Sequence, residues 1–283
     1  MLEIKKESNE IVIEEIAELE HPLEVLIGKI RDRIEAGEYG LVLGIDSSGR
    51  APALIMGEFI KKVYEKKGDE SPQISFLAGA GSIDDPIKSS LRKFKKKKIE
   101  EWAKYNGLDE RFNKKVLVVD DTIIDGTSIK PIIEVLRKMN IEVDVAVVGS
   151  QASRGIGDVL DADVFEGEYY VHKGMYTRKN FVPSIWGRKD ISGVIKDKNK
   201  LFSEPTKTSD KELEEINRGW EFFSREYDWD AFTKDPERRM FRNWNRWTST
   251  EDKIQKTINL ARHDIHILVE RLGERYESKQ DEK

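Results

Sequence analysis

Apolar and polar positions along the chain fall into two alternating patterns. Short apolar runs that end in glycine or an acid read as buried strands: LVLGID over 41–46, QISFLAG over 73–79, VLVVDD over 116–121, IEVDVAVVG over 141–149 and DVFEGEYYV over 163–171. Between them the spacing is helical. Residues 22–37 put Leu23, Leu26, Ile30 and Ile34 on one face, with Gly37 as a stop. Pro52 opens a helix that runs to about Lys67 and ends at Gly68. After a loop over 80–90, a very basic helix runs to about Tyr105 and ends at Asn106-Gly107; another helix is expected over 128–139. Strands alternating with helices predict an α/β fold, a parallel sheet flanked by helices on both faces, with ligands at the carboxyl ends of the strands.

Beyond Lys196 the pattern changes. Residues 196–212 (KDKNKLFSEPTKTSDKE) are polar without periodicity and read as a linker. They divide a domain over 1–195 from an α-helical C-terminal extension over 213–283 that carries Trp220, Trp229, Trp244 and Trp247. These tryptophans read as packing anchors. Its last helix, expected over about 250–272, carries Ile254, Ile258, Ala261, Ile265, Leu268 and Leu272 in alternating steps of four and three, and Thr248 with Glu251 forms a capping box before it. That stripe suits packing on the body of the protein or on a second subunit better than contact with nucleic acid.

Composition narrows the classes. The 283 residues are 38% hydrophobic, enough for one substantial core with an appendage or for two small domains, and the formal net charge of −5 gives no global reason to bind nucleic acid. Without cysteine there are no disulfides or thiolate metal sites, and His21, His172, His263 and His266 are too scattered for a structural zinc. The start MLEIKKESNE lacks the apolar core of a signal peptide, and no run approaches the roughly 18 apolar residues of a membrane span. The expectation is a cytoplasmic protein with no membrane partner.

The chemistry concentrates in VLVVDDTIIDGTS, residues 116–128. A strand end, a tight turn and a helix start together present backbone N–H groups and the positive end of a helix. Gly126 lets a ligand approach the backbone, and Thr127 and Ser128 add hydroxyls, which makes a phosphate cradle. Asp120 and Asp121 would repel a phosphate but suit a vicinal diol, or a magnesium ion shared with sugar oxygens. A ligand with a phosphate at one end and a ribose diol beside it satisfies both halves.

This stretch resembles the phosphoribosyl pyrophosphate (PRPP) signature of type I phosphoribosyltransferases: four apolar residues, two acids, two apolar positions, then a Thr/Ser/Gly-rich loop. The resemblance covers roughly residues 20–195 and implies a type I phosphoribosyltransferase-like sheet, a Rossmann-like arrangement. It implies that Asp120, Asp121 and Thr122 lie at the ribose and its Mg2+, and that Asp125, Gly126, Thr127 and Ser128 take the 5′-phosphate. It also implies that Ser47, Ser48, Gly49 and Arg50, in GIDSSGRAP after the first strand, hold the pyrophosphate, with Asp120, Asp121 and Arg50 as the catalytic set. The partners implied are PRPP and a small-molecule acceptor, most simply a nitrogenous base. A competing likeness, of IIDGTS to the start of haloacid-dehalogenase-type phosphatases, fails because the nucleophilic aspartate's position is Ile123.

Three further features follow from the resemblance. The basic run LRKFKKKKIEE (91–101) is a solvated helix face, or else a lid whose Arg92, Lys93 and Lys96 reach the pyrophosphate from the same or a neighbouring subunit, which allows a homodimer; nucleic-acid contact is a third reading, weakened by sparse aromatics. The acceptor pocket would lie in YTRKNFVPSIWGRKD (176–190), where Phe181 and Trp186 are either stacking partners for a planar base or ordinary core. One departure stands out. The loop position that carries a proton-handling aspartate in the hypoxanthine-guanine branch is Ile124 here, with the aspartate one later at Asp125. That argues against standard purine salvage and leaves open an acceptor that needs no such base, or a protein that binds the donor without catalysing, acting through its C-terminal helices.

Overall fold

The computed structural model describes residues 10–46, 49–78, 88–108, 112–150, 155–169 and 251–281. Five strands, β1 (Tyr39–Asp46), β2 (Gln73–Ala78), β3 (Lys115–Ile123), β4 (Val143–Ser150) and β5 (Asp163–Tyr169), form one sheet in the order β2-β1-β3-β4-β5. Every pair is parallel. The sheet is thus the all-parallel α/β sheet expected from the sequence. Its strands are rich in Val, Ile and Leu because both faces are covered.

The strand order decides where the helices go. From β1 the chain steps through α4 (Arg50–Lys67) to β2 on one side. From β2 it crosses back through α5 (Lys88–Tyr105) to β3, then continues in that direction through α6 (Lys130–Lys138) and α7 (Ile156–Leu160). Right-handed crossovers in opposite directions must put α4 on one face and α5, α6 and α7 on the other. The two cores follow that division. Val42, Leu117, Val119 and Ala146 pack with Phe59, Ile60 and Tyr64 of α4, while Leu41, Leu43, Val116 and Val118 pack with Ile99, Ala103, Ile132 and Leu136 of α5 and α6.

The α4 face also receives α1 (Glu14–Ala17), α2 (Glu20–Lys29) and α3 (Arg31–Glu35). The single helix expected over 22–37 is broken at Ile30, whose φ of −105° and ψ of 14° leave the helical region. The side chain of Ile30 stays in the core.

Outside α4 and α2 lies the last helix, α8 (Glu251–Asp281), which runs parallel to α4: Lys62 pairs with Glu270, and one turn on Lys66 pairs with Glu277. Ala261, Ile265, Leu268, Val269, Leu272 and Tyr276 are buried against the body, and Tyr276 meets Phe59 edge-on at 5.3 Å. At its middle, the fully buried Asp264 accepts the backbone N–H groups of Val12 (3.0 Å) and Ile13 (2.7 Å), tying the chain's first described residues to its last helix.

The amino ends of the strands are pinned by a second buried acid. Asp144 accepts the Tyr39 hydroxyl at 2.8 Å and pairs with Arg33, which also holds Asp163 at 2.6 Å. Burial, with the Asp144 charge beside it, raises the Tyr39 hydroxyl far above the ordinary tyrosine range. Among the described residues, no helix is long and apolar enough to cross a membrane.

Candidate functional site

In a sheet of this order, the loops leaving β1 and β3 diverge to opposite faces, and the gap between them is the crevice where α/β sheets take ligands. Both motifs singled out in the sequence lie there. The register Gly44↔Val119 sets the end of β1 level with the two acids of β3. Asp120 and Asp121 are the sixth and seventh of nine β3 residues and are 6% and 3% exposed, so the acids belong to the strand itself, which runs on to Ile123. Adjacent strand positions point to opposite faces, so the two carboxylates lie on either side of the central strand at its carboxyl end. The Asp121 N–H donates to Asp120 Oδ1 at 2.9 Å, and the Thr122 hydroxyl lies 3.4 Å from Asp121 Oδ2.

Gly49 sets the loop after β1 against the acidic end of β3. Its backbone is helical (φ −72°, ψ −8°) and needs no glycine on conformational grounds. Space is the reason: a β-carbon there would stand 2.8 Å from Asp120 Oδ1, 3.0 Å from Asp120 Cα and 2.6 Å from the Ile45 carbonyl oxygen. Arg50 begins α4 immediately after, with its guanidinium carbon 4.0 Å from the centroid of the Phe76 ring on β2. That stack places the cation on the β2 side of the crevice.

Beyond β3 the chain turns through Ile124, Asp125 and Gly126. Gly126 has φ +75°, and a β-carbon on it would lie 2.7 Å from Leu160 Cδ2, so both its dihedral and its packing require glycine. Its carbonyl accepts the N–H groups of Ile129 (3.1 Å) and Lys130 (2.9 Å), which starts α6 two residues later than the sequence spacing suggested. Asp125 Oδ1 accepts both the Thr127 N–H (3.0 Å) and the Thr127 hydroxyl (2.8 Å). Ile124 is 53% exposed, an apolar side chain at the rim where the hypoxanthine-guanine pattern has an acid.

The structure therefore brings Gly49, Asp120 and Asp121 together, and the loop 124–128 leaves the same strand end. Ser47, Ser48, Phe181 and Trp186 lie outside the described residues; Lys93 lies on α5, but its side chain is also outside them. Of the other basic-helix candidates, Lys96 pairs with Glu134 of α6 at 2.5 Å, so this part of α5 faces its neighbouring helix. No cluster of three or more acids and histidines able to hold a metal occurs among the described residues. Two carboxylates alone suit a magnesium ion that arrives with a phosphorylated ligand and keeps several waters, rather than one caged by protein.

At the opposite end of the sheet, a cleft of about 1280 Å³ is lined by Lys115, Arg137, Asn140, Asp144, Asp161 and Asp163. Its charges are committed to one another, as in Arg137–Asp161 at 2.5 Å and the Arg33–Asp144 pair behind it, and they brace the strand starts. Sequence reasoning did not find Asp144 or Asp264, whose hydrogen bonds to Tyr39 and to the Val12 and Ile13 backbone span more than 100 residues of chain.

No family model and no curated protein matches the chain. Among solved structures it is similar to the protein TT1426 from Thermus thermophilus, at 17% identity, over 71% of this chain and 97% of that one, with a TM-score of 0.35. A likeness of that degree leaves the function to be argued from this chain's own residues.

Proposed function

We propose that the protein is a magnesium-dependent phosphoribosyltransferase that moves the phosphoribosyl group of PRPP to a nitrogenous base or related acceptor. The observation that carries the reading is the contact of Gly49 with Asp120, which joins the loop after β1 to the acidic end of β3 across the switch point of the sheet. In this reading Asp120 and Asp121 accept hydrogen bonds from the ribose hydroxyls and supply oxygens to Mg2+. The loop from Asp125 to Ser128 receives the 5′-phosphate. Ser47, Ser48, Gly49 and Arg50 hold the diphosphate, with Arg50 turning off the Phe76 ring to reach it.

The bond from the anomeric carbon to the diphosphate oxygen breaks, and the electron pair leaves with pyrophosphate. Positive charge gathers on that carbon and the ring oxygen, and an acceptor nitrogen closes the new bond and loses its proton. The protein's share is positioning and stabilisation of separating charge. Acceptor contacts from Phe181 and Trp186, pyrophosphate contact from Lys93, a homodimer and a cytoplasmic location belong to the same proposal.

A second reading is favoured by the exposed Ile124. Without an acid at that position, the protein binds PRPP or a nucleotide and regulates a partner through its C-terminal helices. Calorimetric titration of PRPP with magnesium, followed by a pyrophosphate-release screen over free bases, separates the two. Binding with release supports the transferase and names its acceptor. Binding with no release for any base favours the regulator, and no binding refutes the transferase and leaves the site to a different phosphorylated ligand.

A further inference from the structure

The Thr127 donors that a phosphate would use are already held by an anion from the chain itself. Ile129 and Lys130 have given their N–H groups to the Gly126 carbonyl, so a phosphate entering this turn has to be received by Thr127 together with Ser128. The Thr127 N–H and hydroxyl both go to one oxygen of Asp125, at 3.0 and 2.8 Å. The backbone between them has little room to relax, because Gly126 sits at φ +75° with Leu160 against it. The Asp125 side chain, by contrast, is exposed and can swing into water.

We propose that the Asp125 carboxylate is an internal competitor for the phosphate, occupying the Thr127 donors until a phosphorylated ligand displaces it, and so setting the ligand affinity of the loop. This inference rests on the donor-binding reading above. Displacement exchanges one anion for another on the same two donors and leaves two negative groups side by side. The loop therefore binds a phosphate more weakly than the same loop without the acid, and it discriminates against ligands with too little other binding energy to drive the acid out. It also assigns Asp125 a task other than the missing proton-handling aspartate, one position away.

The test compares wild type, Asp125→Asn and Asp125→Ala by calorimetric titration with PRPP and magnesium and, separately, with ribose 5-phosphate. Thermal melts of each variant establish that it is folded. Asp125→Ala frees both donors and removes the charge, so it should bind PRPP and ribose 5-phosphate about tenfold tighter, the scale of one charge-assisted contact. Asp125→Asn keeps an acceptor for Thr127 without the charge and should fall between. Equal or weaker binding by folded Asp125→Ala overturns the inference. The donor reading survives that result if wild type binds PRPP and the paired change Asp120→Asn with Asp121→Asn does not. If neither wild type nor Asp125→Ala binds PRPP, the donor reading falls and the inference falls with it.

Discussion

A single methyl group at position 49 tests the contact on which the functional reading depends. In Gly49→Ala the new β-carbon would stand 2.6 Å from the Ile45 carbonyl oxygen and 2.8 Å from Asp120 Oδ1, and neither neighbour is the free end of a flexible chain. The Ile45 carbonyl is held by the Gly49 N–H at 3.0 Å, and the Asp120 carboxylate by the Asp121 N–H at 2.9 Å. Because φ and ψ at Gly49 are ordinary for alanine, the whole cost is steric. Overpacking of this kind costs about 1–3 kcal/mol, which lowers the folded-to-unfolded ratio roughly 5- to 150-fold. Relief must move either the start of α4 or Asp120, so PRPP affinity should drop at least about tenfold. Gly28→Ala and Gly273→Ala are the controls: both sites are helical with open space around the new atom, and each should stabilise by about 0.5–1 kcal/mol. Urea unfolding and calorimetry read both quantities. A Gly49→Ala protein as stable as wild type, with unchanged PRPP affinity, would refute the juxtaposition and the reading built on it.

Three other outcomes are expected. Asp120→Asn combined with Asp121→Asn should abolish measurable PRPP binding while circular dichroism still reports a folded sheet; unchanged affinity would remove the acids from the site. Asp264→Ala leaves the Val12 and Ile13 N–H groups without their buried acceptor and should cost about 3 kcal/mol in urea unfolding, with Asp264→Asn recovering part of it; a loss below about 0.5 kcal/mol would show that the tie is not made. Burial pushes the Tyr64 hydroxyl, which accepts the Tyr39 N–H at 3.0 Å, up to about 12. Between the free tyrosine value of about 10 and that point the folded chain keeps a proton the unfolded chain has lost, so stability is full below about pH 10 and falls by about 1.4 kcal/mol per pH unit for this group. Tyr64→Phe should flatten that part of the alkaline slope, and an identical slope in both proteins would contradict the assignment.

The strands were legible because each combines an apolar run with a glycine or acid at its end, and a parallel sheet covered on both faces demands that pattern. The acids at 120 and 121 were legible because a buried run ending in two carboxylates has few structural uses. Strand ends were less so: β3 carries on two residues past the expected end at Asp121, through Thr122 to Ile123, since pairing with β4 continues there. Helices α1 and α7, of four and five residues, are too short to show a period. The break at Ile30 leaves the apolar spacing intact, so spacing alone read one helix for two. Nothing local marks Asp264 as a backbone acceptor or Asp144 as the partner of Arg33 and Tyr39, because each is made by residues distant in sequence. The Asp125–Thr127 contact joins residues two apart, yet the same three letters fit a phosphate cradle equally well.

The seat of α8 on α4 also fixes an order of events during synthesis. Phe59 and its neighbours on α4 leave the ribosome roughly 200 residues before Tyr276, which covers them. At about 5–20 residues per second, that outer face waits some 10–40 seconds for its partner. A chain stalled or cleaved before Glu251 presents this stripe, with the Val12 and Ile13 N–H groups unclaimed, to whatever chaperone or protease is near. Completion of α8 is then the step that covers the α4 face, and fragments ending before it should be cleared or aggregate rather than persist as a smaller folded form.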